Sequence, residues 1–594
     1  MRMSSRPGTA PFVSCSFELA STLTLALARL AAVMAPILRN VRALFGAAAV
    51  WTLTSGCYTA GGGSDPPLQS LYYPVGLGVS PEGKWLVVVN SDFDLQYNGG
   101  TLQTFNLAKI RTDALDTIAY EVDAGTCATQ VPLNGWLGMG CAQPVDAAPG
   151  TYWADPSRYW NSTLIVGAFA TDLLQLTVPG LSLDPIPLFS PIRGTTAVLS
   201  ATLDPVAGQL TCEDGNLSRC GSGSYVGSDP NSPAANSRQV VLSGEPFGIA
   251  QTHDGTAFVV TSETDTTTSV FATDELTDAG TPVNHPQPSL QFVLGGLPAA
   301  GTGIAEIPHD PQTAPTCGPT TGPYCWRPAF LETNHSTAQI DLLRYYSDDG
   351  TASPDGGIQS PGGYRAFVQL EGTLTLTATT GSDERGIVID DSPRAICHTN
   401  AQGAELLCDG GAGDGGADCV SNAQSQDFNC GYLPANMYVA SRTPPALLLG
   451  QVGNPYDPDA LSIQGTVPLP AGPSRVYRAP VIDSDGKYSL RIFVTCFDSD
   501  IVIIFDPATQ LWDSVHVGQG PFAMAFDPFP TTCWGKTPAE CDQQLPYAYR
   551  FAYVANFTQS FIEVIDLDNS QPAAQSTYES IVYAIGQPTL PKGQ

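Results

Sequence analysis

The chain has 594 residues, with 25 basic and 56 acidic side chains and a formal net charge of −31, yet only 14% of its residues are charged. It is rich in Gly (59) and Pro (50). The acidic balance repels phosphate backbones and sets nucleic-acid binding aside, and scarce charge with abundant turn formers argues for many short strands rather than helices.

The first element is a leader. From Met34 the sequence reads MAPILRNVRALFGAAAVWTLTSGC. Arg39 and Arg42 supply a positive start, Ala43 to Leu53 an apolar stretch, and Thr54-Ser55-Gly56 small residues before Cys57. The arrangement resembles a bacterial lipoprotein signal, which implies cleavage before Cys57 and acylation of its thiol. It departs from the usual pattern in having Thr54 three residues before the cysteine, with Leu53 one step further back. Two readings cover the upstream residues: translation starts at Met34, or Leu19 to Val33 is part of a transmembrane anchor. The first is favoured, because that stretch is short for a span and holds Arg29. After Cys57 comes the flexible spacer Gly61-Gly62-Gly63-Ser64. Tyr58 rather than Asp follows the cysteine, and by resemblance to Gram-negative sorting rules this implies the outer membrane. The expected division is a signal segment 1–56, a tether 57–70 and one folded domain 71–590. From Cys57 onward 20 basic residues face 55 acidic ones, a surface suited to solubility outside the cell.

The folded part has a cadence. YPVGLGVSPEGKWLVVVNSDFD starts at Tyr73, EPFGIAQTHDGTAFVVTSETD at Glu245, and GPFAMAFDP at Gly520 is followed by RFAYVANFTQSFIEVIDLD from Arg550. Each runs from Pro through an alternating apolar strand to a turn, then a β-branched or aromatic strand ending on a polar residue. Glu82-Gly83 and Asp254-Gly255 suit tight hairpins, since glycine accepts a positive φ. Weaker copies bring the number of units to seven, starting near residues 73, 163, 245, 301, 385, 473 and 520. A hairpin unit that cannot bury both faces alone must stack on its neighbours, and seven close into a ring of four-stranded blades without exposed edges. The expected fold is therefore all-β: a single propeller of seven four-stranded blades with long, disulfide-stapled loops. The cadence resembles the YVTN-type β-propeller repeat, echoed by YVAN at Tyr553 to Asn556. The resemblance covers most of Tyr73 to Gln587.

Long insertions at Thr112 to Ser157, Thr202 to Arg238 and Cys397 to Cys430 decorate the ring. Twelve cysteines fall into close neighbours: Cys127 and Cys141, Cys212 and Cys220, Cys317 and Cys325, Cys397 and Cys408, Cys419 and Cys430, Cys533 and Cys541. Each pair lies in one Gly/Pro/Asp-rich segment, as local disulfides of an exported protein do; connectivity among the four from Cys397 to Cys430 stays open. Metal ligation is the rival, and no CxxC is present. Cys496, closing an apolar run, reads as a buried thiol.

No HExxH, GxSxG, Walker loop or dinucleotide fingerprint occurs. The six histidines, His253, His285, His309, His335, His398 and His516, show no metal-ligand spacing. The ends of the second strands place Asn90, Arg193, Thr261, Asn334, Arg442, Cys496 and Asn556 toward one rim, a candidate binding constellation. Against it stands the tendency of Asn and Thr at strand ends to bond turn backbone. Arg193 and Arg442, cations in an acidic protein, suggest an anionic or carboxylate ligand. No cofactor is expected. A divalent cation such as calcium is the alternative, although the CDGGAGDGGADC loop lacks the closing Glu of a calcium loop.

The leading reading is a lipid-anchored, outer-membrane propeller that binds a protein, peptide or glycan without catalysis. The alternative is a hydrolase, since propellers of the resembling kind include lactonases acting on sugar lactones.

Overall fold

The computed structural model describes residues 63–124, 152–178, 180–212, 215–216, 218–227, 241–273, 277–278, 281–282, 288–308, 327–348, 365–377, 381–390, 396–399, 405–408, 435–454, 457–541, 549–571 and 576–589. One compact unit, Ser64–Gln594, contains all of them but Gly63.

Within that unit the strands form seven antiparallel blades. Blade 1 runs outward from Pro74–Val79 through Trp85–Asn90 and Gly100–Asn106 to Trp160–Val166. Blade 2 has Leu174–Gln175, Ile186–Ile192 and Ala197–Leu203, its outer edge shared by Leu210–Cys212 and Tyr225–Val226. Blade 3 comprises Pro246–Gln251, Ala257–Ser262, Thr267–Thr273 and Pro288–Gly295; blade 4 comprises Gly301–Glu306, Ala329–Asn334, Gln339–Asp348 and Arg365–Thr375. Blade 5 has Glu384–Ile389, Ala435–Arg442, Pro445–Asn454 and Asp457–Pro468; blade 6 has Pro473–Ile482, Tyr488–Cys496, Ile501–Asp506 and Leu511–His516. Blade 7 has Pro521–Phe526, Phe551–Asn556, Phe561–Asp566 and Ile581–Ile585.

The second strands explain why the sequence folds this way. WLVVVN at Trp85–Asn90 and FAYVAN at Phe551–Asn556 are buried at every residue. Both faces of a blade pack on neighbours, so these strands read as continuous apolar runs rather than alternating ones. The expected hairpin glycines do their part: Gly83 and Gly255 have φ of 66° and 70°.

Ring closure is visible at the seam. Leu86, Val88 and Phe105 of blade 1 share one apolar cluster with Tyr553, Ile562 and Val564 of blade 7. Two strands from loops reinforce the outer edges. Tyr152–Ala154, from the connection between the third and fourth strands of blade 1, adds in parallel to Ile581–Ile585 of blade 7. Arg219–Cys220, from blade 2, adds in parallel to the outer strand of blade 1 at Ile165.

Three features differ from the sequence reading. The unit expected from residue 163 begins later: Trp160–Val166 is the fourth strand of blade 1, and Ala170 starts blade 2 by pairing with Ile192. The insertion after residue 106 opens with an 18-residue helix, Leu107–Ala124. Leu107, Ile110, Ala114 and Ile118 make a helical stripe that joins the cluster at the seam of blades 1 and 7. The cysteine-rich insertion of blade 5 contains a hairpin, Ile396–Thr399 with Glu405–Cys408, so the backbones of Cys397 and Cys408 lie on paired strands.

Cys212–Cys220 and Cys533–Cys541 are disulfides, as expected, and Cys496 is a buried free thiol. Cys57, Cys127, Cys141, Cys317, Cys325, Cys419 and Cys430 lie outside the described residues.

Candidate functional site

The end of the ring where second strands finish and innermost strands start is the upper rim; the other end is the lower mouth. Register fixes which residues are equivalent. Pro74 pairs with Asn90, Ala170 with Ile192, Pro246 with Ser262, Gly301 with Asn334, Glu384 with Ser441, Pro473 with Cys496 and Pro521 with Asn556. Asn90, Asn334, Cys496 and Asn556 therefore occupy one ring position. Arg193, Thr261 and Arg442 are each one residue out of register, and in a strand one residue exchanges the faces.

Most upper-rim residues hold the ring together; in blade 5 the Glu384 carboxyl and Ser441 Oγ are enclosed without a hydrogen-bond partner, as is Asn556 Oδ1 in blade 7. Asn90 accepts from Tyr72 N at 3.0 Å and donates to Thr101 Oγ1 at 2.9 Å and Gln103 Oε1 at 2.8 Å. Gln103 in turn donates to Leu68 O at 2.9 Å, pinning the segment that enters blade 1. Blade 7 repeats the device: Asn556 donates to Glu563 Oε2 at 2.8 Å, and that oxygen also accepts from Gly518 N at 2.8 Å in the link from blade 6. Asn334 donates to Pro298 O at 2.9 Å, and Thr261 donates to Gly301 O at 3.0 Å in the next blade. Arg193 bridges Glu245 at 2.8 Å and Glu263 at 2.9 Å, and Arg442 pairs with Asp498. Neither arginine is an open anion seat.

The innermost strands carry the informative positions. Two residues after the strand-starting position stand Gly76, Asp172, Gly248, Gly303, Gly386, Arg475 and Ala523 in blades 1 to 7. Small residues are required there by close approach. A Cβ on Gly303 would lie 2.4 Å from Arg385 O, and one on Gly386 would lie 2.6 Å from Arg475 Cα. The two charged exceptions belong to blades 2 and 6, which are not neighbours, and they meet. Arg475 Nη1 is 2.6 Å from Asp172 Oδ2, and Nη2 donates to Thr171 O at 2.8 Å. The guanidinium lies 4.7 Å from the Phe522 ring centroid of blade 7. This ion pair spans the ring beneath the upper rim.

Three residues lower, the equivalent positions are Val79, Gln175, Gln251, Glu306, Ile389, Arg478 and Phe526; each faces the residue four before the end of its blade's second strand. Blades 2, 3 and 4 thus contribute a contiguous polar arc. Gln251 accepts from Thr177 N at 3.1 Å and donates to Thr177 O at 2.6 Å. Glu306 Oε1 accepts from His253 N at 2.8 Å and lies 3.6 Å from His253 Nδ1. The Glu306 carboxylate raises the His253 pKa by bonding to the imidazole, and burial raises that of Glu306 itself. The pair therefore retains a proton to higher pH than isolated groups would.

Within this arc Gln175 differs from Gln251 and Glu306. Its Nε2 and Oε1 are both enclosed, and neither has a hydrogen-bond partner. The amide fits only because blade 1 has no side chain opposite: a Cβ on Gly78 would lie 2.1 Å from Gln175 Nε2. An enclosed amide without partners costs about 1–3 kcal/mol.

Sequence reasoning missed Asp172, Arg475, Gln175, Gln251 and Glu306, and read His253 only as one of six histidines without metal-ligand spacing. The signal was present in the unit alignment: a tier of glycines interrupted by one Asp and one Arg, and a polar run three residues on. Among the described residues no group of three or more metal-ligating side chains converges.

Fold and register define the class, a seven-bladed β-propeller with a bridged upper channel and a polar lower mouth. No family model and no curated protein matches the sequence. Solved structures similar to it include a 6-phosphogluconolactonase-like protein of Bacteroides fragilis, at 12% identity over 76% of this chain and 85% of that one, TM-score 0.34. The periplasmic gluconolactonase PpgL of Pseudomonas aeruginosa is 12% identical over 75% and 86%, TM-score 0.35. The virginiamycin B lyase of Staphylococcus aureus is 9% identical over 82% and 94%, TM-score 0.33. The blade assignment rests on this chain's own strand pairing.

Proposed function

We propose that this chain is an exported propeller, tethered to the bacterial outer membrane through acylated Cys57, that binds a protein, peptide or glycan at its lower mouth without catalysis. The observation that carries the binding site is the unsatisfied amide of Gln175 beside the Gln251 and Glu306–His253 arc. Turned out from the enclosed position against Gly78 into the mouth, that amide would be satisfied by a ligand presenting hydroxyl or amide groups, as buried polar groups require. Export is supported by the leader and by the two loop disulfides, which need an oxidising compartment. Glycan and peptide arrays probed with the mature protein test the reading. Binding should be lost in Gln175→Ala and Glu306→Gln and kept in Arg193→Gln; array binding untouched by the first two would refute the site. Mass spectrometry of the native N-terminus, expected to give a diacylated Cys57, tests the anchor.

One observation favours a hydrolase as the second reading. The His253–Glu306 pair is a ready proton acceptor and donor at a channel mouth. Lactone hydrolysis abolished by His253→Gln would establish it over the binding module.

A further inference from the structure

Exposed large apolar side chains occur at several places among the described residues, Leu115, Val206, Val241, Leu370, Leu511 and Trp512 included, but one group of them adjoins the point where the chain enters the ring. Phe93 and Leu95, exposed by 52% and 38%, lie in the loop after the second strand of blade 1 at the upper rim, and Leu68, exposed by 40%, lies in the entering segment, its carbonyl bonded by Gln103 and Thr163. Phe93 is the outermost ring of an aromatic group, with centroids 6.2 Å from Tyr73, 5.3 Å from Phe557 and 5.9 Å from Phe169. Arg475 and Phe522 lie beneath it, and Phe522 is 5.9 Å from Phe557.

The chain enters the ring at this same place. Ser64 O accepts from Asn98 N at 3.0 Å, and Asn98 Nδ2 donates to Asp65 Oδ1 at 3.1 Å. Arg219 bridges Asp65 at 2.7 Å, so the entering segment is fastened to the loop that carries Phe93 and Leu95. Five residues lie between Cys57 and Gly63, a reach of at most about 20 Å for extended chain. A lipid on Cys57 would therefore keep the point where the chain enters blade 1 within about 20 Å of a bilayer.

We propose that the upper rim of blade 1 is a membrane-docking surface, with Phe93 and Leu95 entering the interfacial region of a zwitterionic bilayer and the lower mouth held away from it. The inference rests on the Cys57 anchor of the preceding subsection. Aromatic and aliphatic side chains at headgroup level suit this role, since each leaves water while backbone and rim carboxylates stay hydrated. Asp65, Asp92 and Asp94 flank the patch, and the chain's net charge is −31, so an anionic lipid surface would oppose docking rather than drive it. The orientation also leaves the polar arc of the lower mouth open to soluble ligands.

The test uses the acylated full-length protein in phosphatidylcholine vesicles containing brominated lipid. Phe93→Trp reports the rim. Leu511→Trp, on the outer strand of blade 6 at the opposite end and 70% exposed, reports the far side. Both positions are exposed, so neither substitution disturbs the core. The fluorescence added by Phe93→Trp should fall by about half or more, that added by Leu511→Trp should not, and added phosphatidylglycerol should weaken the difference. Equal quenching of the two, in protein that floats with the vesicles, would overturn the orientation and leave the anchor standing. Wild-type protein that fails to float would remove the anchor and this inference together.

Discussion

The upper rim and the lower mouth are built from equivalent positions of the same seven units, yet they have opposite economies. At the upper rim most polar groups meet another from their own or another blade, as Asn90 does with Gln103, Asn556 with Glu563, Arg193 with two glutamates and Arg475 with Asp172, and the exception is blade 5, where the Glu384 carboxyl and Ser441 Oγ are enclosed without partners. At the lower mouth Gln251 is bonded to Thr177 of blade 2 and Glu306 of blade 4 to His253 of blade 3, while the Gln175 amide has no hydrogen-bond partner. A ring must first be closed, and the polar groups that close it are not free to bind. Position at a concave mouth is therefore weaker grounds for a ligand site than unsatisfied chemistry there.

The largest test of this contrast is pH. Burial raises the pKa of Glu332 and Glu384 to about 8, and that of Glu563 to about 7. A carboxyl whose folded pKa lies above its unfolded value of 4.5 binds its proton more tightly when folded. Its contribution to stability is whole below about pH 4.5 and is lost as pH rises toward 7–8. The thermal midpoint should accordingly fall between pH 5 and pH 9, and Glu332→Gln should flatten that slope. Glu332, Glu384 and Glu563 are all buried, and a midpoint that rises over this interval would show that burial does not hold their protons.

Next comes the bridge across the channel. Arg475→Met strands Asp172 and should cost about 2–4 kcal/mol in urea unfolding, while Asp172→Asn with Arg475→Met should recover part of the loss. If the single and double variants unfold alike, the pair does not hold the ring. Asn90→Ala and Asn556→Ala each leave a buried partner unmet and should cost about 1–3 kcal/mol with no change in ligand affinity. Gln175→Ala should do the reverse, leaving unfolding within about 1 kcal/mol while abolishing array binding. Any loss of affinity in the asparagine variants at full stability would erase the distinction between the two ends. The smallest effect belongs to Arg193→Gln: its ion pairs are part-exposed and worth about 0–1 kcal/mol, with a dependence on salt that the unfolding midpoint would reveal.

The units and their turns were legible because each carries local chemistry: a Pro-led innermost strand, a glycine hairpin, an apolar second strand. Asn90, Asn334 and Asn556 share one ring position by register. Arg193, Thr261 and Arg442 do not, since the innermost strands bulge near their starts and the residues ending the second strands differ from blade to blade. Blade 2 was misaligned for a related reason. Its innermost strand is only Leu174–Gln175 with a single bridge at Ala170, too short to show an alternating pattern. The helix Leu107–Ala124 was hidden because its stripe is narrow and mixed with charge, and only the seam of blades 1 and 7 gives that stripe a partner.

The sequence by itself determined the number of units, the hairpins and the burial of the second strands, because those depend on interactions within a few residues of each other. It also determined the strongly acidic character and the cysteine neighbours of Cys212–Cys220 and Cys533–Cys541. Only the tertiary structure decided that Asp172 and Arg475, 303 residues apart, face each other, and that Gln175 lies against Gly78 without a partner. Those relations exist only once the ring has closed, since closure brings residues distant along the chain within hydrogen-bond reach.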